Sequence, residues 1–330
     1  MRMERLSKKV KAGIFCVLGI FLMLTQVFVK TQAETIVSSV AIVNAPPSVI
    51  SVSTSDEPFG SEDYSNGIIN TLVAGGGKTI YVTGRMQDNS GGDDIQRASL
   101  VFYRSGVANG SQCAQNDAND CYVVQDCALD ATGVSDLQRR YSCEVLLPYF
   151  ADGTMPGGEF PDEHWIASVT GFDATERGSS DESLSREIET LLALSMPSSI
   201  DYASMEAGSS TTEETEAEIY FAQNGNDEAD VEVSFGTWPG APFYGGTMDC
   251  VHNGGEGSIP ADRQQWSLAP NHYNGTGTTQ LTASPTIAAI NVGYRHGENP
   301  EKPLYWNISI PASGVSGTCS GSISISAVSH

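Results

Sequence analysis

The sequence predicts an all-β chain, with two β-sandwich domains in tandem behind an N-terminal signal peptide. Three observations predict this. Short runs that alternate apolar and polar residues, rich in Val, Ile, Thr, Tyr and Phe, recur along the chain between clusters of Gly, Asp, Asn, Ser and Pro. No apolar stripe of helical period runs to ordinary helix length beyond the N-terminal segment. The cysteines beyond that segment fall in even numbers in each half, the pattern of a disulfide framework in an exported protein.

The chain is organised around residues 78–106, KTIYVTGRMQDNSGGDDIQRASLVFYRSG, which read as a strand, an acidic turn and a second strand. Ile80, Val82 and Met86 fall on one face of the first run, while Leu100 and Phe102, with Val101 and Tyr103 beside them, give the second its bulk. One apolar face of such a pair stays wet until a second sheet covers it, so the remaining strands are expected to close a sandwich over it.

Before this pair come Arg2, Arg5, Lys8, Lys9 and Lys11, an uncharged apolar run over 12–29, and Lys30-Thr-Gln-Ala33 with small residues where a signal peptidase reads. Residues 1–33 are therefore a secretory signal cleaved after Ala33, although the run is also long enough for an uncleaved anchor. They hold six of the 17 basic and one of the 40 acidic residues, which leaves 11 against 39 and a net charge of −28. That surplus excludes nucleic acid and anionic membrane surfaces as partners, since both need basic patches. No membrane insertion is expected beyond the N-terminal anchor. The acidic, Gly- and Ser/Thr-rich composition suits a secreted or cell-surface protein.

Cys16 leaves with the signal, and Cys113, Cys121, Cys127, Cys143, Cys250 and Cys319 remain. The absence of a CxxC pair argues against zinc or redox chemistry. Cys250 with Cys319 is the only pairing within the second half. The four others leave the connectivity open, with 113–121 and 127–143 as one arrangement.

In chain order, 34–47 is a polar lead-in, and 48–54, 68–73, 121–127, 137–150 and 164–173 join the central pair as strands. About seven short strands of this kind indicate an immunoglobulin-like sandwich over 48–173, with Trp165, Ile166 and Val169 in its core. Residues 174–199 read as a linker or linking strand. Within them 174–186 is polar, and 187–196 fits a short amphipathic helix as well as a strand. The second sandwich, 200–330, takes strands at 200–206, 216–223, 230–235, 266–268, 278–283, 286–294, 304–310 and 320–328.

The segments VTGRMQDNSGGDDIQRASLVFYRSGV, NDANDCY, YSCEVLLPYFADGT and HWIASVTGFDATE carry a resemblance in the first half. IDYASMEAGSST, FAQNGNDEADVEVSF, LTASPT and YWNISIPASGVSGTCSGSISISAV carry it in the second. The chain resembles uncharacterised secreted two-domain Ig-like or cadherin-like β-sandwich surface proteins of small-genome uncultivated bacteria. The resemblance covers most of the exported chain and implies architecture and location, but no activity. Cys319 departs from it, because a tyrosine is more typical before the last strand.

Several motifs are weighed against plainer readings. AGGGKT at 74–79 copies the end of a phosphate loop, but Leu72 stands where the opening glycine belongs and a strand follows instead of a helix. GTCSG at 317–321 mimics a nucleophile elbow, yet a strand follows it too and Cys319 has a disulfide partner to hand. His164, His252, His272, His296 and His330 show no metal-ligand spacing. No catalytic residues and no cofactor are expected, and the protein is read as non-enzymatic.

Two groups remain as candidates for binding. Asp88, Asp93 and Asp94 in one turn, Asp117, Asn119 and Asp120 in another, and Asp173 at a strand end could supply hard oxygens to calcium, or could simply cap strands as Asx turns. Trp238, Phe243 and Tyr244 in a Pro/Gly loop, with Trp266, would stack on sugars if exposed and fill a core if buried. The expected function is structural or adhesive, with a protein or glycan partner at the cell surface. The alternative is a carbohydrate-binding module that uses the aromatic loop.

Overall fold

The computed structural model describes residues 44–60, 67–70, 72–113, 119–175, 178–236, 247–251, 254–295, 297 and 301–330. Residues 1–33, expected to be a signal, and Asp117, Trp238, Phe243 and Tyr244 lie outside them. The described chain is all β, with no α-helix and three single-turn 3-10 segments among those residues. No helix in it is long and apolar enough to cross a membrane.

The first half holds strands β1 (Ser48–Ser55), β2 (Ile68–Ile69), β3 (Gly77–Gln87), β4 (Ile95–Arg104), β5 (Cys121–Val124), β6 (Ala128–Asp130), β7 (Gln138–Pro148), β8 (Trp165–Asp173) and β9 (Gly178–Ile188). They form two sheets, ordered β1-β3-β7-β6 and β2-β9-β8-β4-β5. All neighbours are antiparallel except β2 and β9. Ile80, Val82 and Met86 on β3 and Tyr141, Cys143, Val145 and Leu147 on β7 face Ala98, Leu100 and Phe102 on β4 and Trp165, Ala167 and Val169 on β8 across one apolar core. Alternation explains which residues go inward, because successive side chains of a strand point to opposite faces. Leu146, between two buried neighbours, is exposed. Trp165 stacks on Phe102 and Tyr122, with ring centroids 5.0 and 5.6 Å away.

One expectation is corrected here. β3 and β4 do not share a sheet: β3 pairs with β1 and β7, and β4 pairs with β5 and β8. The acidic segment between them carries the chain from one sheet to the other, so the two apolar faces cover each other. Within the stretch expected as a linker or linking strand, residues 178–188 are a strand: β9 pairs with β8 over most of its length, from Trp165↔Arg186 to Phe172↔Gly178. A strand can be held by its ladder hydrogen bonds even where its sequence shows no apolar alternation.

The second half holds β10 (Leu194–Ser195), β11 (Ala217–Gln223), β12 (Ala229–Phe235), β13 (Thr247–Asp249), β14 (Ser258–Pro260), β15 (Gln264–Ser267), β16 (Thr279–Gln280), β17 (Thr286–Val292), β18 (Lys302–Ile308) and β19 (Ile323–Ser329). Sheets ordered β10-β11-β18-β15-β16 and β17-β12-β19 enclose a second core of Ile219, Phe221, Val231, Val233, Trp266, Val292, Leu304 and Trp306. The pair β13–β14 covers a small satellite cluster around Cys250, Ile259 and Ile308.

The strand expected at 200–206 does not form. Asp201 Oδ1 accepts the Ala203 amide at 2.8 Å, and Ala203 takes φ 56, a left-handed conformation that ends extended backbone. The region 187–196 is not helical either. It divides between the end of β9 and the short β10.

Candidate functional site

The acidic residues singled out in the sequence divide between opposite ends of the first core. Asp88 follows β3, Asp94 precedes β4 and Asp173 ends β8, and the Ile95↔Asp173 pairing brings the last two to one edge. One carboxylate oxygen from each of the three lies within 4.8 Å of the others. Asp88 and Asp173 are each 1% exposed, and Asp94 is half-buried. Both buried residues form Asx turns: Asp88 Oδ1 accepts the Ser90 amide at 2.7 Å, and Asp173 Oδ1 accepts the amide and hydroxyl of Thr175 at 2.7 Å each. Asp88 Oδ2 is buried and has no hydrogen-bond partner.

Among the described residues, the other candidates of the expected calcium set do not join this triad. Asp93 points away, its side chain 97% exposed and paired with Arg139. Asn119 and Asp120 sit beside the start of β5, which pairs with the last residues of β4. Ten residues of β4 at about 3.3 Å rise therefore put them roughly 30 Å from the triad. The two turns at either end of one strand cannot share a metal.

At that far end a different polar cluster lies between the two cores. Asp152 is fully buried, and Arg104 Nε donates to its Oδ2 at 2.7 Å. Arg104 also pairs with Glu163, lies 3.8 Å from Asp120, and stacks over the Phe160 ring at 3.7 Å. From the second half, the Tyr294 hydroxyl donates to Asp152 Oδ1 at 2.9 Å and Arg295 approaches to 3.9 Å. Burial pushes the Asp152 carboxyl up to about 6, against the opposing pull of Arg104 and the Tyr294 hydroxyl. Burial, with the nearby Asp152 charge, also raises the Tyr294 phenol, which stays a hydrogen-bond donor.

Beside this cluster, the turn between β11 and β12 reaches into the first half. Asn226, 1% exposed, donates to the carbonyls of Ala151 and Glu189 at 2.8 and 2.9 Å and accepts the Leu191 amide at 2.6 Å. Gly225 packs so closely that a Cβ there would stand 2.0 Å from the Leu191 carbonyl oxygen. The Gly75 amide donates to the Asn224 carbonyl at 3.0 Å. Sequence reasoning passed over Arg104, Asp152, Asn226 and Tyr294. The Asn-Gly-Asn run announces a turn, but its long-range partners leave no local mark.

The disulfides are Cys113–Cys121, Cys127–Cys143 and Cys250–Cys319. Cys127, whose amide bonds the Ala98 carbonyl on β4, is tied to Cys143 on β7, so this bridge joins the two sheets of the first core. Cys319 is thus no nucleophile. Lys78 of the phosphate-loop mimic reaches Asp56 at 3.1 Å and the Asn70 carbonyl at 2.9 Å, with β3 running on directly behind it. Trp266 is 5% exposed and packs in the second core, so its ring is not offered to a ligand.

Fold and site together define an all-β protein of sandwich-like sheets stapled by three disulfides, the chemistry of an oxidising, extracellular environment. The sequence matches no family model and no curated protein.

Proposed function

We propose that the chain is a non-enzymatic, secreted or surface-tethered structural or adhesive protein whose two immunoglobulin-like sandwiches act as one rigid body. The observation that carries this reading is the buried junction, in which Asp152, Arg104, Asn226 and Tyr294 join the two cores through hydrogen bonds. Modules on a free linker expose such groups to water, whereas here they are enclosed and paired, as a load-transmitting contact requires. The disulfides add covalent ties that survive outside the cell. The partner is a protein or glycan at the cell surface. Burial of Trp266 removes one ring from the carbohydrate-binding alternative, which then depends on the loop carrying Trp238, Phe243 and Tyr244.

Antibody labelling of intact producing cells, combined with force spectroscopy on the full chain, tests this. A surface-accessible chain that yields under load as one cooperative unit supports it. A chain confined to the cytoplasm, or halves that yield separately at low force, contradicts it.

A further inference from the structure

The acidic triad carries more than its charge. A buried carboxylate oxygen without a donor is costly, and native structures almost always pair such atoms. Asp88 Oδ2 is such an atom in a residue 1% exposed, and the same side chain belongs to a group of three carboxylates within 4.8 Å. Like charges at that separation repel, more strongly where water is excluded. A divalent cation removes the repulsion and gives the orphaned oxygen a partner.

We propose that Asp88, Asp94 and Asp173 form a calcium site at the end of the first core where β3 leaves, β4 begins and β8 ends. The donor set is all hard oxygen. Calcium takes several protein carboxylates in a flexible shell at about 2.3–2.6 Å, whereas magnesium keeps most of its waters and usually takes only one or two carboxylates, so a set of three favours calcium. Half-exposed Asp94 leaves one side open, where water completes the six to eight ligands calcium takes. The Asx turns of Asp88 and Asp173 fix both carboxylates before the ion arrives. The site does not depend on the surface role proposed above.

Calorimetric titration and thermal melting of the full chain with CaCl2, with MgCl2 at equal ionic strength, and with chelator provide the test. The site predicts one calcium per chain, a Kd on the order of 10⁻⁴ to 10⁻³ M, and a melting temperature on the order of 2–5 °C higher in 10 mM calcium than in chelator. Asp94→Asn weakens binding at least tenfold. Asp88→Asn abolishes the response and, in chelator, melts no lower than wild type, because it relieves the repulsion while its amide oxygen keeps the Ser90 turn. Asp201→Asn, in an exposed turn of the second half, leaves the response unchanged. No heat and no melting shift with calcium in the wild-type chain would overturn the proposal. An equal response to magnesium, or calcium binding that survives Asp94→Asn at full strength, would overturn it as well, whether or not Asp88→Asn folds.

Discussion

The Tyr294 hydroxyl donates a 2.9 Å hydrogen bond to Asp152 Oδ1, joining groups 142 residues apart in the chain. Asp152 is fully buried and takes its second contact from Arg104, so one carboxylate is shared by strands of the first core and a loop of the second. Whether it is ionised there depends on which of two opposed effects is larger, loss of water or the pull of the guanidinium. Burial wins, and the carboxyl rises to about 6.

A pH dependence follows. The folded value lies above the unfolded one, near 3.9, so the stabilising contribution is fully present below about pH 4 and is lost as pH rises through about 6. The unfolding free energy of wild type relative to Asp152→Asn should fall by about 1 kcal/mol between pH 5 and pH 7. Urea titrations of both proteins at the two pH values check this. A relative stability that rises instead would mean that Arg104 holds Asp152 ionised.

Asn226→Ala takes the side-chain partner from two carbonyls and one amide, one of them in a buried bond and two in partly buried ones. The expected loss is about 2–4 kcal/mol, seen as a lower urea midpoint.

Gly84 lies on β3 where a Cβ would stand 1.9 Å from the Ser51 carbonyl oxygen and 2.5 Å from the Tyr141 hydroxyl. Tyr141 donates to that same carbonyl at 2.8 Å. Gly84→Ala must push β1 off β3 and break this bond, and should cost about 2 kcal/mol or more in chemical unfolding.

Removing the Cys250–Cys319 bridge by double replacement with serine frees a loop with 69 residues of sequence separation. Chain entropy puts the loss at roughly 4 kcal/mol, measured as the shift between oxidised wild type and the variant. Free thiol at either position in exported protein would contradict the pairing.

How much of this was legible in the sequence depends on how local each cause is. Ile80, Val82, Leu100 and Phe102 announce their strands because alternation is written into neighbouring residues. Pairing is not, so the sheet-to-sheet crossing between β3 and β4 stayed hidden behind an acidic turn that either topology could use. The bounds and partner of β9 were not legible within the linker or linking strand, because GSSDESLSREI has almost no apolar residues and its place is set by β8 alongside. Asp88, Asp94 and Asp173 could be picked out as strand-end acids. Separating them from Asn119 and Asp120 required knowing which ends of β4 they occupy. The junction is the extreme case, since Asp152, Asn226 and Tyr294 each look like an ordinary loop residue until their distant partners are known.

The most direct test of the account is hydrogen exchange by mass spectrometry through a urea titration, comparing peptides from β4 and β8 with peptides from β11 and β18. A junction that couples the two cores predicts coincident midpoints in the wild-type chain and separated ones in Asn226→Ala. Two separated transitions in the wild type would contradict it, because the cores would then be independent and the buried contact between them without mechanical consequence.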